Sequence, residues 1–513
     1  MKRTVLVMML TLLLIEMLIL ASNIQPVKAS GAIYIRADGS IDPPTASIQT
    51  LDNVTYTLTE NILSAADGIF VERSDIVIEG AGYTVEGSRT YPDRGICLSG
   101  IANVTIKNIS IKHFYYGVWL DSSSNNSISG NTIANNSKGI ALYRYSNDNS
   151  ISGNNIANNA YGIWLDSSSS NNISGNNIAS NEDDSIWLDS SSNNSISGNN
   201  ITNNQDNGIM LNSSSNRNSI SGNSITNNHY GIGFYYSSSN SVSGNTITNN
   251  SDGIWLVSSS SNSISGNTIA NNQNDGVWLD SSSNNSISGN NITNNAYGVH
   301  LFSGSSDNTL YHNNFVNTYE VSYSPSLANV WDNGYPSGGN YWSNYVGVDA
   351  DDGIGDEPHA IDTNNTDRYP LAAPINVLGA GVWGGAAYKV DVVSNSKVSE
   401  FEFDPSEGAF LRFNVTGEDG TSGFCRVTIP RSLLWAEDGW NVYVGEESVN
   451  YTIIPDNDYT YLYFTYNHTT GTVQIQGTHA IPEFTLTMIL PLFTLTTLIA
   501  TVLLKKKAKT QLP

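Results

Sequence analysis

The chain has 513 residues, room for two or three domains, and 22 Lys+Arg against 46 Asp+Glu give a net charge of −24. That balance repels nucleic acid and anionic lipid and excludes a nucleic-acid-binding role. Cysteine occurs only as Cys97 and Cys425, which excludes a disulfide framework and a Cys-rich zinc or iron–sulfur site. Charged residues make up 13%, about half the usual share, and Ser, Asn and Gly take their place.

Residues 1–29 read as a secretory signal: Lys2 and Arg3 lead an apolar run, and Val27-Lys28-Ala29 supplies small residues for cleavage. Residues 30–75 read as an N-terminal cap with the first coils. From 76 to 330 the chain repeats. The phrase Ser-Ile-Ser-Gly-Asn, or a near copy, carries its Ile or Val at 128, 151, 173, 196, 220, 242, 264 and 287, with steps of 22 to 24 residues. A second phrase, Gly-Ile-x-Leu, keeps the same beat through 118, 140, 163, 186, 209, 232, 254, 277 and 299. The apolar residues lie in short β-type runs between Gly, Asn and Ser turns, too short for helices. A period in the low twenties with three short strands predicts one coil of a parallel β-solenoid, stacked at about 4.8 Å per coil.

These phrases resemble the right-handed parallel β-helix repeats of NosD-like and carbohydrate-binding/sugar-hydrolase proteins. The segment from Trp331 to Trp342, with Asp367-Arg368-Tyr369-Pro370, is similar to the end of that module in archaeal surface proteins. The resemblance implies the fold over about residues 50–330. It leaves the chemistry open, since the fold hosts lyases, hydrolases, epimerases, adhesins and copper-insertion accessory proteins.

Strand alternation sends the Ile and Leu of Gly-Ile-Trp-Leu-Asp inward and the residues between and after them outward. One outward column reads Cys97, Trp119, Ala141, Trp164, Trp187, Met210, Gly233, Trp255, Trp278 and His300; its neighbour includes Asp166, Asp189 and Asp280. A Trp line beside carboxylates suits a polysaccharide, whose rings stack on indoles and whose hydroxyls bond to Asp. The competing reading is that these Trp pack on each other or under the C-terminal domain. The recurrent Asn at 131, 154, 176, 199, 223, 245, 267 and 290 is predicted to be structural, each copy bonding to those above and below.

The densest acidic cluster is Glu182, Asp183, Asp184 and Asp189, with Asp166 one coil below. These carboxylates suit Ca²⁺ or acid–base glycoside hydrolysis, weighed against a solvated acidic face. Asp349, Asp351, Asp352 and Asp356 resemble a calcium loop one residue short, a Ca²⁺ brace or an acidic turn. Between 101 and 330 the only Lys and Arg are Lys107, Lys112, Lys138, Arg144 and Arg217, none beside the acidic cluster in the repeat register. Any enzyme is therefore expected to be a hydrolase of neutral glycans rather than a lyase. Cys97, Met210 and His300 share a column but stand several coils apart, so they do not form one copper site.

Residues 331–375 read as a C-terminal cap with the acidic loop. Alternating β segments across 376–480 predict a small β-sandwich stalk. An uncharged span, 485–504, precedes the basic tail 505–513, Lys505, Lys506, Lys507 and Lys509. The positive-inside rule keeps the tail cytoplasmic and the body outside. Ile481-Pro482-Glu483-Phe484 with this span resembles archaeal sorting signals, implying a sorting peptidase; a stop-transfer anchor fits the same residues. Sequons such as Asn53, Asn172, Asn200, Asn291, Asn414 and Asn450 suit a glycosylated exterior. The reading is an all-β, membrane-anchored extracellular protein: a right-handed parallel β-helix followed by a β-sandwich. Its expected work is glycan binding through Trp119, Trp164, Trp187, Trp255 and Trp278 with Asp166, Asp189 and Asp280. The alternatives are a β-helix polysaccharide hydrolase or lyase, and a structural rod or copper accessory.

Overall fold

The computed structural model describes residues 31–324, 327–406, 408–468 and 471–481. The predicted signal, the 485–504 span and the basic tail lie outside the described residues. No helix among the described residues is long and apolar enough to cross a membrane. The structure is all β, and the repeat region is a parallel β-solenoid in which each turn gives one strand to each of three sheets. Two compact units result: residues 31–263 with 268–282, and residues 264–267 with those from 283 onward.

In the first unit, one sheet is built from the Gly-Ile-x-Leu strands, among them Tyr116–Asp121, Lys138–Tyr143, Tyr161–Asp166, Ile186–Asp189, Ile209–Asn212 and Tyr230–Tyr235. The Ser-Ile-Ser strands, such as Ser150–Ser152, and the strands after the turn, such as Asn155–Ala157, form the other two. Register is one turn per rung: Ile151 pairs with Ile173, Ile156 with Ile178, and Ile163 with Ile186. Every one of these Ile is fully buried. Each buried aliphatic side chain contributes about 2 kcal/mol, and stacking makes the core continuous.

The turns explain the polar composition. Gly153 in Ser-Gly-Asn has φ 62°, and a Cβ there would meet nothing, so Gly is needed for its backbone and not for space. The next residue points inward. Asn154 donates through Nδ2 to Asn176 Oδ1 at 3.0 Å, and the Asn154 backbone N–H donates to the same oxygen at 3.0 Å. Asn154 Nδ2 also donates to the Ile128 carbonyl at 2.8 Å. The predicted Asn column is thus a buried ladder that satisfies turn amides in a dry interior. Two further Asn ladders run beside it, Asn126–Asn149–Asn171 and Asn136–Asn159–Asn181.

The second unit holds the last turns, a cap and a β-sandwich. The Asn ladder ends at Asn340, which accepts from Asn313 Nδ2 at 3.0 Å and donates to the carbonyls of Leu310 and Trp331. The 331–370 motifs then lock together. Asp367 accepts from Trp342 Nε1 at 2.8 Å, and Arg368 forks Asp332 through Nε and an Nη at 2.9 and 2.6 Å. The sandwich has two five-stranded antiparallel sheets. It is cored by Val390, Val392, Leu411, Phe413, Val427, Leu462 and Ile475. The predicted β segments Lys389–Val393, Cys425–Ile429, Tyr461–Tyr466 and Thr472–Gln476 fall within strands, Ala409–Val415 and Trp440–Val444 begin one residue before theirs, and Ile375–Trp383 and Lys397–Asp404 are strands beyond these.

Candidate functional site: the outer face of the Gly-Ile-x-Leu sheet

Three outward rows cross this sheet in the first unit. The central row carries the indoles: Trp119 pairs with Ala141, Ala141 with Trp164, Trp164 with Trp187, and Trp187 with Met210. On one side runs Asp121, Tyr143, Asp166, Asp189 and Asn212. Trp255 and Trp278 pair farther along, with Asp280 beside Trp278 opposite Val257.

The indoles are half-buried rather than free in solvent. Trp164 and Trp187 stack with centroids 5.3 Å apart and planes 15° from parallel, while Lys138 Nζ sits 3.4 Å above the other face of Trp164. Trp255 stacks on Tyr230 at 5.5 Å and meets Trp278 at 5.6 Å. Their faces therefore cover one another, and the row presents ring edges outward. The Nε1–H groups of Trp164, Trp187 and Trp255 are shielded and have no hydrogen-bond partner.

The row on the other side, one residue before the Gly of each phrase, was not drawn in the sequence reading. It begins with Arg94, Tyr116, Lys138 and Tyr161. Asp184 and Asn207 hold the next two places in the repeat and are buried. Lys138 donates to the Tyr143 hydroxyl at 2.8 Å, and burial lowers its pKa to about 8 against the pull of Asp166. Lys138 thus stands in the same row as Asp184 but two turns away, not beside it in the repeat register. Burial, and then the facing Asp183, raise the Tyr161 hydroxyl.

Asp183, Asp184 and Asp206 each bring an oxygen within 4.8 Å of the others, the one such group of three or more His, Cys, Asp or Glu among the described residues. Asp184 is buried and accepts from Asn207 Nδ2 at 2.7 Å. Desolvation raises its pKa to about 7. Asp206 is raised by burial and by Asp183, and His229 stands 3.6 Å from it. The cluster differs from the expected one. Glu182 is exposed, and Asp166 and Asp189 lie across the indole row, because Asp184 precedes the four-residue strand Ile186–Asp189 and Asp189 ends it, on opposite sides of Trp187. Asp206 and His229 take their place because they occupy the position of Asp183 in the repeat one and two turns on.

The 349–356 carboxylates do not gather. Asp349 accepts from the backbone of Asp352 and Gly353 at 2.9 and 3.0 Å, Asp352 accepts from Ile354, and Asp351 and Asp356 are exposed. They cap their own turn, and Arg426 seals it by donating to the Asp352 carbonyl at 2.6 Å.

The family model for NosD, described as a periplasmic copper-binding protein, matches residues 36–229 and 179–347, together more than half of the chain. The chain belongs to the NosD family. No curated protein matches it. Similar solved structures include the A-module of the Azotobacter vinelandii mannuronan C-5 epimerase AlgE6, 16% identical over 52% of this chain and 89% of that one, with a TM-score of 0.40. The Dettilon tailspike protein is 12% identical over 87% and 93%, with a TM-score of 0.36. The periplasmic alginate epimerase AlgG is 16% identical over 58% and 84%, with a TM-score of 0.36. Likeness at this level concerns the fold alone.

Among the described residues the donors do not fit copper(I), which takes soft Cys, Met and His ligands held together. Cys97 is buried beside Arg94, and desolvation pushes its thiol up to about 12, away from the thiolate a metal needs. Met210 is five strands from Cys97 along the row. His113 is engaged by Glu86, and His229 faces Asp206.

Proposed function

We propose that this NosD-family chain works outside the cytoplasm as a polysaccharide-binding protein, tethered through its 485–504 span. The polymer lies along the outer face of the Gly-Ile-x-Leu sheet. The observation that carries this reading is the in-register repetition of the face: Trp164 over Trp187 and Asp166 over Asp189, one rung apart. A polymer of repeating units meets the same chemistry on these two successive rungs, about 4.8 Å apart, with Ala141 and Tyr143 before them and Met210 and Asn212 after them. Carboxylates on one side take hydroxyls. The indole row offers apolar edges, with Trp119, Trp255, Trp278 and Asp280 extending the same pattern, and three unpartnered N–H groups lie beneath them. Affinity electrophoresis of the full chain in gels cast with neutral and acidic polysaccharides tests the reading. Retardation that the double variant Trp164→Ala/Trp187→Ala abolishes without unfolding supports it. Equal mobility of both proteins in every gel removes it.

A second reading, hydrolysis of the bound glycan, is favoured by one observation. Asp184, its pKa raised to about 7 by burial, sits among Asp183, Asp206 and Asn207, the perturbed environment a general acid needs. Release of reducing ends that Asp184→Asn abolishes while binding persists supports turnover.

A further inference from the structure

A second concave site lies within the second unit. Its volume is about 490 Å³, and the repeat turns, the cap and the outer face of one sandwich sheet line it. The strand Ala386–Ser394 explains the polar wall. Val390 and Val392 point into the sandwich core, so Ala387, Lys389 and Asp391 point the other way. Tyr459 and Tyr461 come from the strand Tyr459–Asn467, two places along in the same sheet.

One polar group here, Asp391, is poorly served by the protein itself. Among the described residues the Asp391 carboxylate has no hydrogen-bond partner, and His312 Nδ1 stands 3.8 Å from it. Burial holds its pKa up, opposed by His312 and Lys389. His312 Nε2 lies 2.9 Å from the Ser337 carbonyl oxygen, which can only accept, so Nε2 carries a proton. The Ser337 hydroxyl, 3.3 Å from the same nitrogen, therefore has no base, and the trio is not a nucleophile relay. What remains is a cavity with an open carboxylate, an imidazole, an ammonium group and tyrosine rings. That set suits a ligand with many hydroxyls and apolar ring faces. The carboxylate disfavours a ligand that is itself anionic.

We propose that this cavity binds a neutral saccharide of one or two rings, with Asp391 taking a vicinal pair of hydroxyls and the exposed Tyr459 flanking the ring. The site is separate from the indole rows and does not depend on them. It suits the end of a glycan, whereas the sheet face suits its length.

The test is calorimetric titration of the full chain with glucose, galactose, mannose, N-acetylglucosamine, cellobiose, maltose and glucuronic acid. Asp391→Asn, Ala387→Trp and the Trp164→Ala/Trp187→Ala variant run in parallel, and circular dichroism checks each fold. Saturable binding of at least one neutral sugar is expected, weakened at least tenfold by Asp391→Asn and removed by Ala387→Trp, whose side chain fills the cavity. The Trp variant should bind the small sugar as the unaltered chain does. Binding of none of the neutral sugars overturns the proposal, as does binding of glucuronic acid alone. So does a loss confined to the Trp variant. Unchanged affinity in a folded Asp391→Asn or Ala387→Trp protein overturns it as well.

Discussion

Trp164 and Trp187 stand one rung apart with their rings 5.3 Å apart and nearly parallel, and Lys138 closes the free face of the pair. The pair therefore stabilises the sheet as well as offering its edge to a ligand. Removing one ring loses a stack worth about 1 kcal/mol. Trp187→Ala is expected to lower the thermal midpoint by a few degrees and to weaken polysaccharide binding at least tenfold. Thermal melts and affinity electrophoresis on one preparation separate the two effects.

Asp184 makes stability depend on pH with a definite sign. Its folded pKa of about 7 exceeds the ordinary carboxylate value, so the fold prefers the protonated form. Its contribution is full below about pH 4 and is lost as pH rises through 7, with a ceiling of about 4 kcal/mol. Asp184→Asn keeps an acceptor for Asn207 Nδ2 and removes the charge. The variant should melt higher than the parent at pH 8 and at the same temperature at pH 4. Equal melting shifts at both pH values would show that burial of this charge is not what the parent tolerates.

The Asn ladder predicts a graded lesion. Asn176 Oδ1 accepts from both Asn154 N–H groups, and its Nδ2 donates to Asn199 Oδ1 at 3.0 Å and the Ile151 carbonyl at 2.9 Å. Asn176→Ala strands these buried partners and should cost about 3 kcal/mol in urea unfolding. Asn176→Asp sets an acceptor against the Asn199 oxygen and the Ile151 carbonyl. It should be worse than Ala at pH 7 and partly recover at low pH, where a protonated carboxyl donates.

Arg426 is buried and donates to the carbonyls of Asp352 and Pro336, with Tyr461 4.7 Å from its guanidinium carbon. Arg426→Met keeps the bulk and loses the donors. Limited proteolysis should then cut within residues 345–356, where Val346 and Val348 are already exposed, at least tenfold faster than in the parent.

Much of this was legible because the beat and the strand alternation are local properties. Ile163 and Leu165 pointing inward, the Trp row and the Asn154 rung all follow from counting residues. The other Asn ladders were hidden in doublets. In Asn135-Asn136 the first takes the left-handed turn at φ 58° and the second points in, and composition does not distinguish two identical neighbours. The acidic cluster was read along the chain, from Glu182 to Asp189, whereas proximity in a solenoid runs across it. Asp206 and His229 each lie 23 residues beyond the preceding member of their row, and only that spacing signals them. Burial, which raises Asp184 and lowers Lys138, depends on neighbours in adjacent turns that a single phrase does not display.

The ladders carry a consequence for how such a chain can change length. Each Asn oxygen serves only the turn before it, and each Asn amide only the turns it touches. Inserting or deleting one whole turn at a time therefore leaves every rung served, while the odd residue of the 24-residue step is taken up at the exposed Ser213 and Ser214, outside the rungs. Reach along the stacking axis becomes a quantity counted in turns of about 4.8 Å, adjustable without redesigning either the interior or the chemistry of the outer face.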